Sequence, residues 1–338
     1  MSLVQEILSH LSVADKVAAW GTLGTIKPHP CFEADIDVED LAEAMAEKSV
    51  HKDIIVDIVV GRSNAQRLQI VNLFKHLVNE DLIQALEAAL SGSLKDVIVA
   101  LLRSPAQYDA RELKGAMKGI GTDEDRLTEI LATRTNQQLQ EIRTIYKEDF
   151  KSTLENDIAA ETSGDFKDLL LALLKGTREK HSGVIDYVQI DSDAQVLYEV
   201  TKKNNRSTSQ WISILSLRSL DHLNRVFEQF KMYSSSEVEE TIQKYFKGDF
   251  QKGLLTLVSV IKNTPQYFAE KLYKSMKGMG TNENTLTRIM VSRSEIDLLS
   301  IRAEFRKKYG KSLYSFLQAS ITGDYLTALL SLCRAEDL

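Results

Sequence analysis

Cysteine is scarce in this chain of 338 residues: Cys31 and Cys333 are its two thiols. Two thiols in a chain this long do not make a disulfide framework. Proline is equally sparse, at four residues, while Leu, Ala, Glu, Lys and Gln are plentiful, a balance that favours helix over sheet. No apolar run approaches the roughly 18 residues needed to span a bilayer; Leu169 to Leu174 is a short core segment. The opening residues, Met1 to Leu11, carry Glu6 and His10 and lack a basic start followed by a long apolar stretch, so no secretory signal is read there. A cytosolic, soluble protein with at most peripheral membrane contact is expected. Basic charge is not in excess, with a formal net charge of −6. That argues against a dedicated nucleic-acid binder, although a locally basic face remains open. The makings of catalysis are missing as well. The six histidines are scattered, neither cysteine sits in a recurring motif, and no glycine-rich loop ends in Gly-Lys-Ser or Gly-Lys-Thr. No enzyme is expected.

What is present is repetition. The chain is 43% hydrophobic and longer than one core usually grows, so subdivision is expected. An Arg-Ser or Arg-Thr pair closes an apolar segment four times, at Arg62-Ser63, Arg134-Thr135, Arg218-Ser219 and Arg293-Ser294. Thirty residues after each arginine stands a glycine: Gly92, Gly164, Gly248 and Gly323. Four matched spacings define four units. We place them at 33–103, 104–175, 176–262 (opening with a connector, Gly176 to Ile190) and 263–338, after an arm and linker over 1–32. Within the units the apolar period is helical. Leu127, Ile130 and Leu131 share a face, as do Leu286, Ile289 and Met290. About five short helices per unit and no strand are expected. Each marker arginine is read as ending a helix and bonding its last carbonyls or a nearby acid.

Units two and four share a further motif, Met117-Lys118-Gly119-Ile120-Gly121-Thr122 and Met276-Lys277-Gly278-Met279-Gly280-Thr281, with Tyr108 and Tyr267 nine residues before each methionine. Alternating glycines let a backbone take positive φ and turn its carbonyls inward. Calcium, a hard cation, takes six to eight oxygens. Neutral carbonyls alone hold it weakly, so a carboxylate from elsewhere is required.

These motifs resemble the annexin family, and the resemblance covers 33–338. It implies an all-α fold of four five-helix repeats in a slightly curved disc, with calcium sites that bridge to phospholipid head groups. In that family the main site takes three loop carbonyls and an acidic side chain about 42 residues past the first loop glycine. The resemblance thus assigns Met117, Gly119, Gly121 and Glu161 as the main calcium site. An anionic lipid would complete the shell of an ion left under-neutralised by one carboxylate, so calcium and acidic phospholipid membranes would bind together. Twenty-seven residues past each marker arginine stand Ala89, Glu161, Tyr245 and Ser320; thirteen before stand Ser49, Gly121, Asn205 and Gly280. Units one and three have therefore lost both halves of the site. Unit four keeps Met276, Gly278 and Gly280 but offers Ser320 in place of the acid, a weakened site. Thr122 with Glu124, and Thr281 with Glu283, either serve a weaker accessory ion or cap the following helix, Thr122 with Asp125 and Thr281 with Asn284. Lys202, Lys203 and Arg206 in unit three, and Lys48, His51 and Lys52 in unit one, either replace calcium by contacting anionic lipid or face water.

The arm places Val4, Ile7, Leu8 and Leu11 at i, i+3, i+4 and i+7, an apolar stripe on a helix too short to stand alone. The stretch Gly21 to Pro30 reads as a linker. The arm resembles that of a family member whose stripe inserts into a small dimeric EF-hand light chain. Residues 2–12 would then recruit such a partner and form a heterotetramer. The alternative is that the stripe packs back on the repeats. The competing reading of the whole chain is a calcium-independent helical-repeat scaffold that binds proteins.

Overall fold

A guanidinium is rarely buried without a partner, and the marker arginines reveal theirs. In the computed structural model, Arg62 donates two hydrogen bonds of 2.7 Å to Asp37. Arg134 donates to Asp109 at 2.6 and 2.7 Å, and Arg218 to Asp193 at 2.8 and 3.3 Å. In each case the aspartate lies 25 residues earlier, on the first helix of the same repeat. Removing one partner of a pair buried as deeply as Arg134–Asp109 costs about 3–5 kcal/mol. Burial alone would raise the Asp193 carboxyl, but the bonds from Arg218, His222 and Gln189 outweigh it and hold the group below its ordinary value. Repeat four departs from this scheme. Phe268 stands where the aspartate should be, with Arg293 4.7 Å over its ring. The guanidinium turns instead to Asp297, one helical turn ahead, at 2.7 and 2.6 Å.

The structure describes residues 23–46, 50–119, 121–180, 182–202, 208–278 and 280–335. They form five helices per repeat and no strand. Repeat one contains α1 (Ala34–Ala46), α2 (Lys52–Gly61), α3 (Asn64–Leu77), α4 (Leu82–Ala89) and α5 (Gly92–Leu101). Repeat two contains α6 (Pro105–Ala116), α7 (Glu124–Thr133), α8 (Asn136–Phe150), α9 (Leu154–Glu161) and α10 (Gly164–Leu174). Repeat three contains α11 (Tyr187–Lys202), α12 (Thr208–Leu217), α13 (Leu220–Tyr233) and α14 (Val238–Tyr245). Its last helix runs on as α15 (Gly248–Met276), broken at Asn263 by φ −161° and ψ 94°, into the first helix of repeat four. Repeat four then adds α16 (Glu283–Arg293), α17 (Leu298–Tyr309), α18 (Leu313–Ser320) and α19 (Gly323–Cys333). The connector before repeat three is shorter than the spacing suggested, because α11 already starts at Tyr187. None of the described helices is long and apolar enough to cross a membrane.

The chain divides into two compact units at Pro105/Ala106 and Thr264/Pro265, repeats one and four in one and repeats two and three in the other. The first unit buries Leu41, Ile55 and Phe74 with Phe268, Ile289 and Phe305 in one cluster. In the second, Leu127, Ile130, Ile142, Leu197, Trp211 and Phe227 are buried.

The residue after each marker arginine explains how the third helix begins. Ser63 and Thr135 form reciprocal capping boxes with Gln66 and Gln138, and Ser219 accepts from the His222 N–H. In repeat four Ser294 caps the end of α16 with helix-like φ of −58° and ψ of −34° rather than the extended backbone of an N-cap, and Asp297, spent on Arg293, makes no cap bond. The missing acceptor comes from the other end of the chain. The Leu299 N–H donates to the Leu23 carbonyl at 2.9 Å, and the Ile26 N–H to the Ser294 carbonyl at 3.1 Å. The Thr25 hydroxyl donates to the Leu332 carbonyl at 2.6 Å, and Ile26 is buried. The His29 N–H donates to the Gln66 side-chain oxygen at 2.8 Å, and the Gln66 amide donates back to the His29 carbonyl at 3.0 Å. From Leu23 onward, therefore, the stretch read as a linker is a strap packed on repeats four and one. Periodicity could not reveal this, because most of the contacts are hydrogen bonds between the strap and backbone groups at the far end of the chain. A side chain at Gly24 would sit 2.5 Å from the Ser294 oxygen and the Glu295 backbone. Gly24→Val should thus destabilise the first unit by about 1–3 kcal/mol, as overpacking against fixed backbone does. Thermal unfolding in chelator checks this, and an unchanged midpoint would show that the strap does not bear on the core.

Candidate metal centre

The loops of repeats two and four are built the same way. In repeat two the Asp123 N–H donates to the Ala116 carbonyl at 2.8 Å, closing the loop across its neck; in repeat four the Asn282 N–H donates to Ser275 at 2.7 Å. Between those necks Gly119 and Gly121 have φ of 105° and 86°, and Gly278 and Gly280 have 118° and 113°. Side chains rarely adopt these values, so glycine is required there. Both methionines, Met117 and Met276, are buried and anchor the loop, while the glycines are exposed.

The fourth helix of each repeat ends on the position counted 27 past the marker arginine. Ala89, Glu161, Tyr245 and Ser320 are the last residues of α4, α9, α14 and α18. Glu161 is exposed, and the Thr122 hydroxyl donates to its carbonyl at 3.3 Å. The end of the loop and the end of α9 therefore meet, and the two halves assigned to the main site are neighbours. Repeat four brings Ser320 to the equivalent place with no carboxylate. At Tyr245 the Lys244 ammonium stands 5.3 Å over the ring. Repeat one retains the closing bond, from the His51 N–H to Ala44 at 3.0 Å, but not the glycines.

The donor set fits a hard cation. It offers peptide carbonyls and one carboxylate. Among the described residues no group of three or more His, Cys, Asp and Glu converges as a transition-metal site would demand. The capping alternative for the threonines needs a correction of one residue. The caps of α7 and α16 are Asp123, which accepts from the Arg126 N–H, and Asn282, which accepts from the Thr285 N–H. Asp123 and Asn282, one residue nearer the helix, reach the first-turn N–H groups, which leaves Thr122 to bond across to Glu161. Of the accessory acids, Glu283 accepts from the Ser93 hydroxyl, and Glu124 opens α7 half-buried. In repeat one Lys52 pairs with Asp324 at 2.9 Å. Lys48, Lys203, Arg206 and the side chain of Lys202 lie outside the described residues, as do Val4, Ile7, Leu8 and Leu11.

One polar cluster beneath the site escaped the sequence reading. Asp157 on α9 accepts from Lys114 on α6 at 2.8 Å, from the Tyr146 hydroxyl on α8, and from Ser152 at 2.6 Å. Burial alone would raise the Asp157 carboxyl, but these bonds together hold it below its ordinary value; burial first, and then Asp157, push the Tyr146 hydroxyl up. The available signal was positional: Lys114 lies three residues before Met117, and Asp157 four before Glu161.

Comparison with known proteins agrees with this architecture. The annexin family model matches four segments, residues 36–101, 108–173, 192–257 and 267–332. Annexin A9 of Mus musculus and of Homo sapiens are each 48% identical over 337 residues, which cover 100% of this chain and 97% of the relative. Among solved structures, annexin III superposes with a TM-score of 0.91 at 40% identity, covering 93% of this chain and 98% of its own. Calcium-bound annexin (Sm)1 does so with 0.82 at 28% identity, covering 92% of each. The particular member suggested by the arm is not among these relatives, but four matched repeats and near-complete coverage leave no doubt about the grouping: this chain belongs to the annexin family.

Proposed function

We propose that this protein binds calcium at the repeat-two loop and, through that ion, acidic phospholipid membranes. The observation that carries the reading is the bond from Thr122 to Glu161, which ties the end of a loop with two positive-φ glycines to the end of α9. The carbonyls of Met117, Gly119 and Gly121 and the Glu161 carboxylate are the residues that would hold the ion. A bound calcium supplies a positive charge facing outward, and one carboxylate neutralises only half of it. An anionic head group therefore gains affinity from the ion, and the ion from the head group, by the same factor. The solved structure of a calcium-bound annexin (Sm)1 with the same fold supports the assignment. Repeat four contributes at most a weaker site, since Ser320 brings no charge. This reading is separated from the protein-binding scaffold by co-sedimentation with vesicles of phosphatidylserine and phosphatidylcholine, with and without calcium. We expect calcium-dependent sedimentation. Glu161→Gln should raise the calcium needed for half-maximal binding at least about tenfold, because ligand charge tunes calcium affinity over orders of magnitude. A midpoint that does not move rejects the site.

We further propose that the arm's stripe, Val4, Ile7, Leu8 and Leu11, seats in the groove of a small dimeric EF-hand protein, producing a heterotetramer able to join two membranes. Its support is the helical spacing of those four residues. Leu8→Glu should then abolish capture of such a light chain by the purified full-length protein. Equal capture by wild type and variant ends the proposal.

A further inference from the structure

The helix that ends in Glu161 is held one turn below that residue. Asp157 takes the Lys114 ammonium at 2.8 Å, the Ser152 hydroxyl at 2.6 Å and the hydroxyl of fully buried Tyr146. Lys114 also stands over the Tyr146 and Phe150 rings, at 5.7 and 5.8 Å. Its own carbonyl accepts the Met117 N–H at 3.2 Å. A single ion pair thus joins the helix end from which the carbonyl loop departs to the helix that presents the carboxylate.

The other repeats make the same helix junction without charge. Counted from the marker arginine, the positions of Lys114, Tyr146, Phe150 and Asp157 are held in repeat four by Tyr273, Phe305, Tyr309 and Phe316. There Tyr273 stacks on Tyr309 at 3.9 Å and lies 5.3 Å from Phe316. In repeat three Tyr198 meets Phe230 at 6.2 Å, and Thr241 takes the acid's place. In repeat one Ala42 and Ala85 occupy the Lys114 and Asp157 positions. Apolar contact is therefore sufficient to build the fold here. The charged version occurs in the one repeat whose α9-type helix ends in an acid.

We propose that the Lys114–Asp157 pair is a positioning device for the repeat-two calcium site, with Tyr146 and Ser152 orienting the Asp157 carboxylate. The inference rests on the calcium reading given above. Calcium accepts oxygens only at 2.3–2.6 Å. A pair of directional bonds fixes the separation of loop and carboxylate more narrowly than an apolar contact, which tolerates sliding. Partners that orient metal ligands in this way typically carry 10–100-fold in affinity.

The test uses the full-length protein and vesicles of phosphatidylserine and phosphatidylcholine, reading the calcium concentration at half-maximal sedimentation. Asp157→Asn and Lys114→Met should both raise it about tenfold or more. A field effect alone would move them in opposite directions, since the second substitution leaves an added anion near the cation. Opposite shifts, or no shift in Asp157→Asn, overturn the proposal. A second variant guards against misfolding: Lys114→Tyr, Tyr146→Phe, Phe150→Tyr and Asp157→Phe together install the repeat-four cluster. Its thermal midpoint in chelator should stay near that of wild type while its calcium midpoint still rises; an unchanged calcium midpoint in a folded variant also overturns the proposal. Glu161→Gln runs alongside. If it shifts and Asp157→Asn does not, the pair alone is refuted; if neither shifts, the site itself is wrong and the pair falls with it.

Discussion

The bidentate contact between a marker arginine and an aspartate 25 residues earlier organises each repeat in which it occurs. It sets the end of the second helix against the first and leaves the next residue, serine or threonine, free to cap the third. Where Phe268 replaces the aspartate, the consequences propagate. Arg293 recruits Asp297, Ser294 takes helix-like backbone angles, the cap of α17 is lost, and the chain's own N-terminal strap fills in. One substituted acid thus accounts for the backbone bond between the strap and the first turn of α17; farther along, the strap is also tied to repeat one, where the His29 backbone exchanges hydrogen bonds of 2.8 and 3.0 Å with the Gln66 side chain.

The architecture was readable from spacing because a repeat must place the same residue at the same turn four times. The arginine and glycine markers gave the register, and in the structure the position counted 27 past each arginine falls on the last residue of each fourth helix. Hydrogen-bond partners were less legible. The helix caps lay one residue later than expected, at Asp123 and Asn282, because both neighbours in each loop are able to cap and only the loop's closure decides between them. The strap over Leu23 to Pro30 passed for a linker because its few side chains carry no period, and its anchors lie elsewhere in the chain, at Gln66 and from Ser294 to Leu332. The Lys114–Asp157 cluster was invisible for a related reason: three polar residues on three helices and one in the turn between two of them look solvent-facing in a linear sequence.

The four repeats hold the parts of the proposed site in different combinations. Each unit of the fold keeps one loop with paired glycines, and the repeat beside it has neither the glycines nor the acid. Repeat four stands between, with the conformation intact at Gly278 and Gly280 and the charge gone at Ser320. Loop conformation and acid therefore vary independently, because the neck bond that shapes the loop is made of backbone. The repeat-one bond from His51 to Ala44 persists even where nothing else of the site does.

The strap has a mechanical consequence. Because the Leu23 carbonyl serves the first turn of α17 and Gly24 lies against Glu295, any load applied upstream of residue 23 is delivered to the start of that helix. The strap is geared to the body at its first described residue, and a tug there registers first as fraying at Leu299.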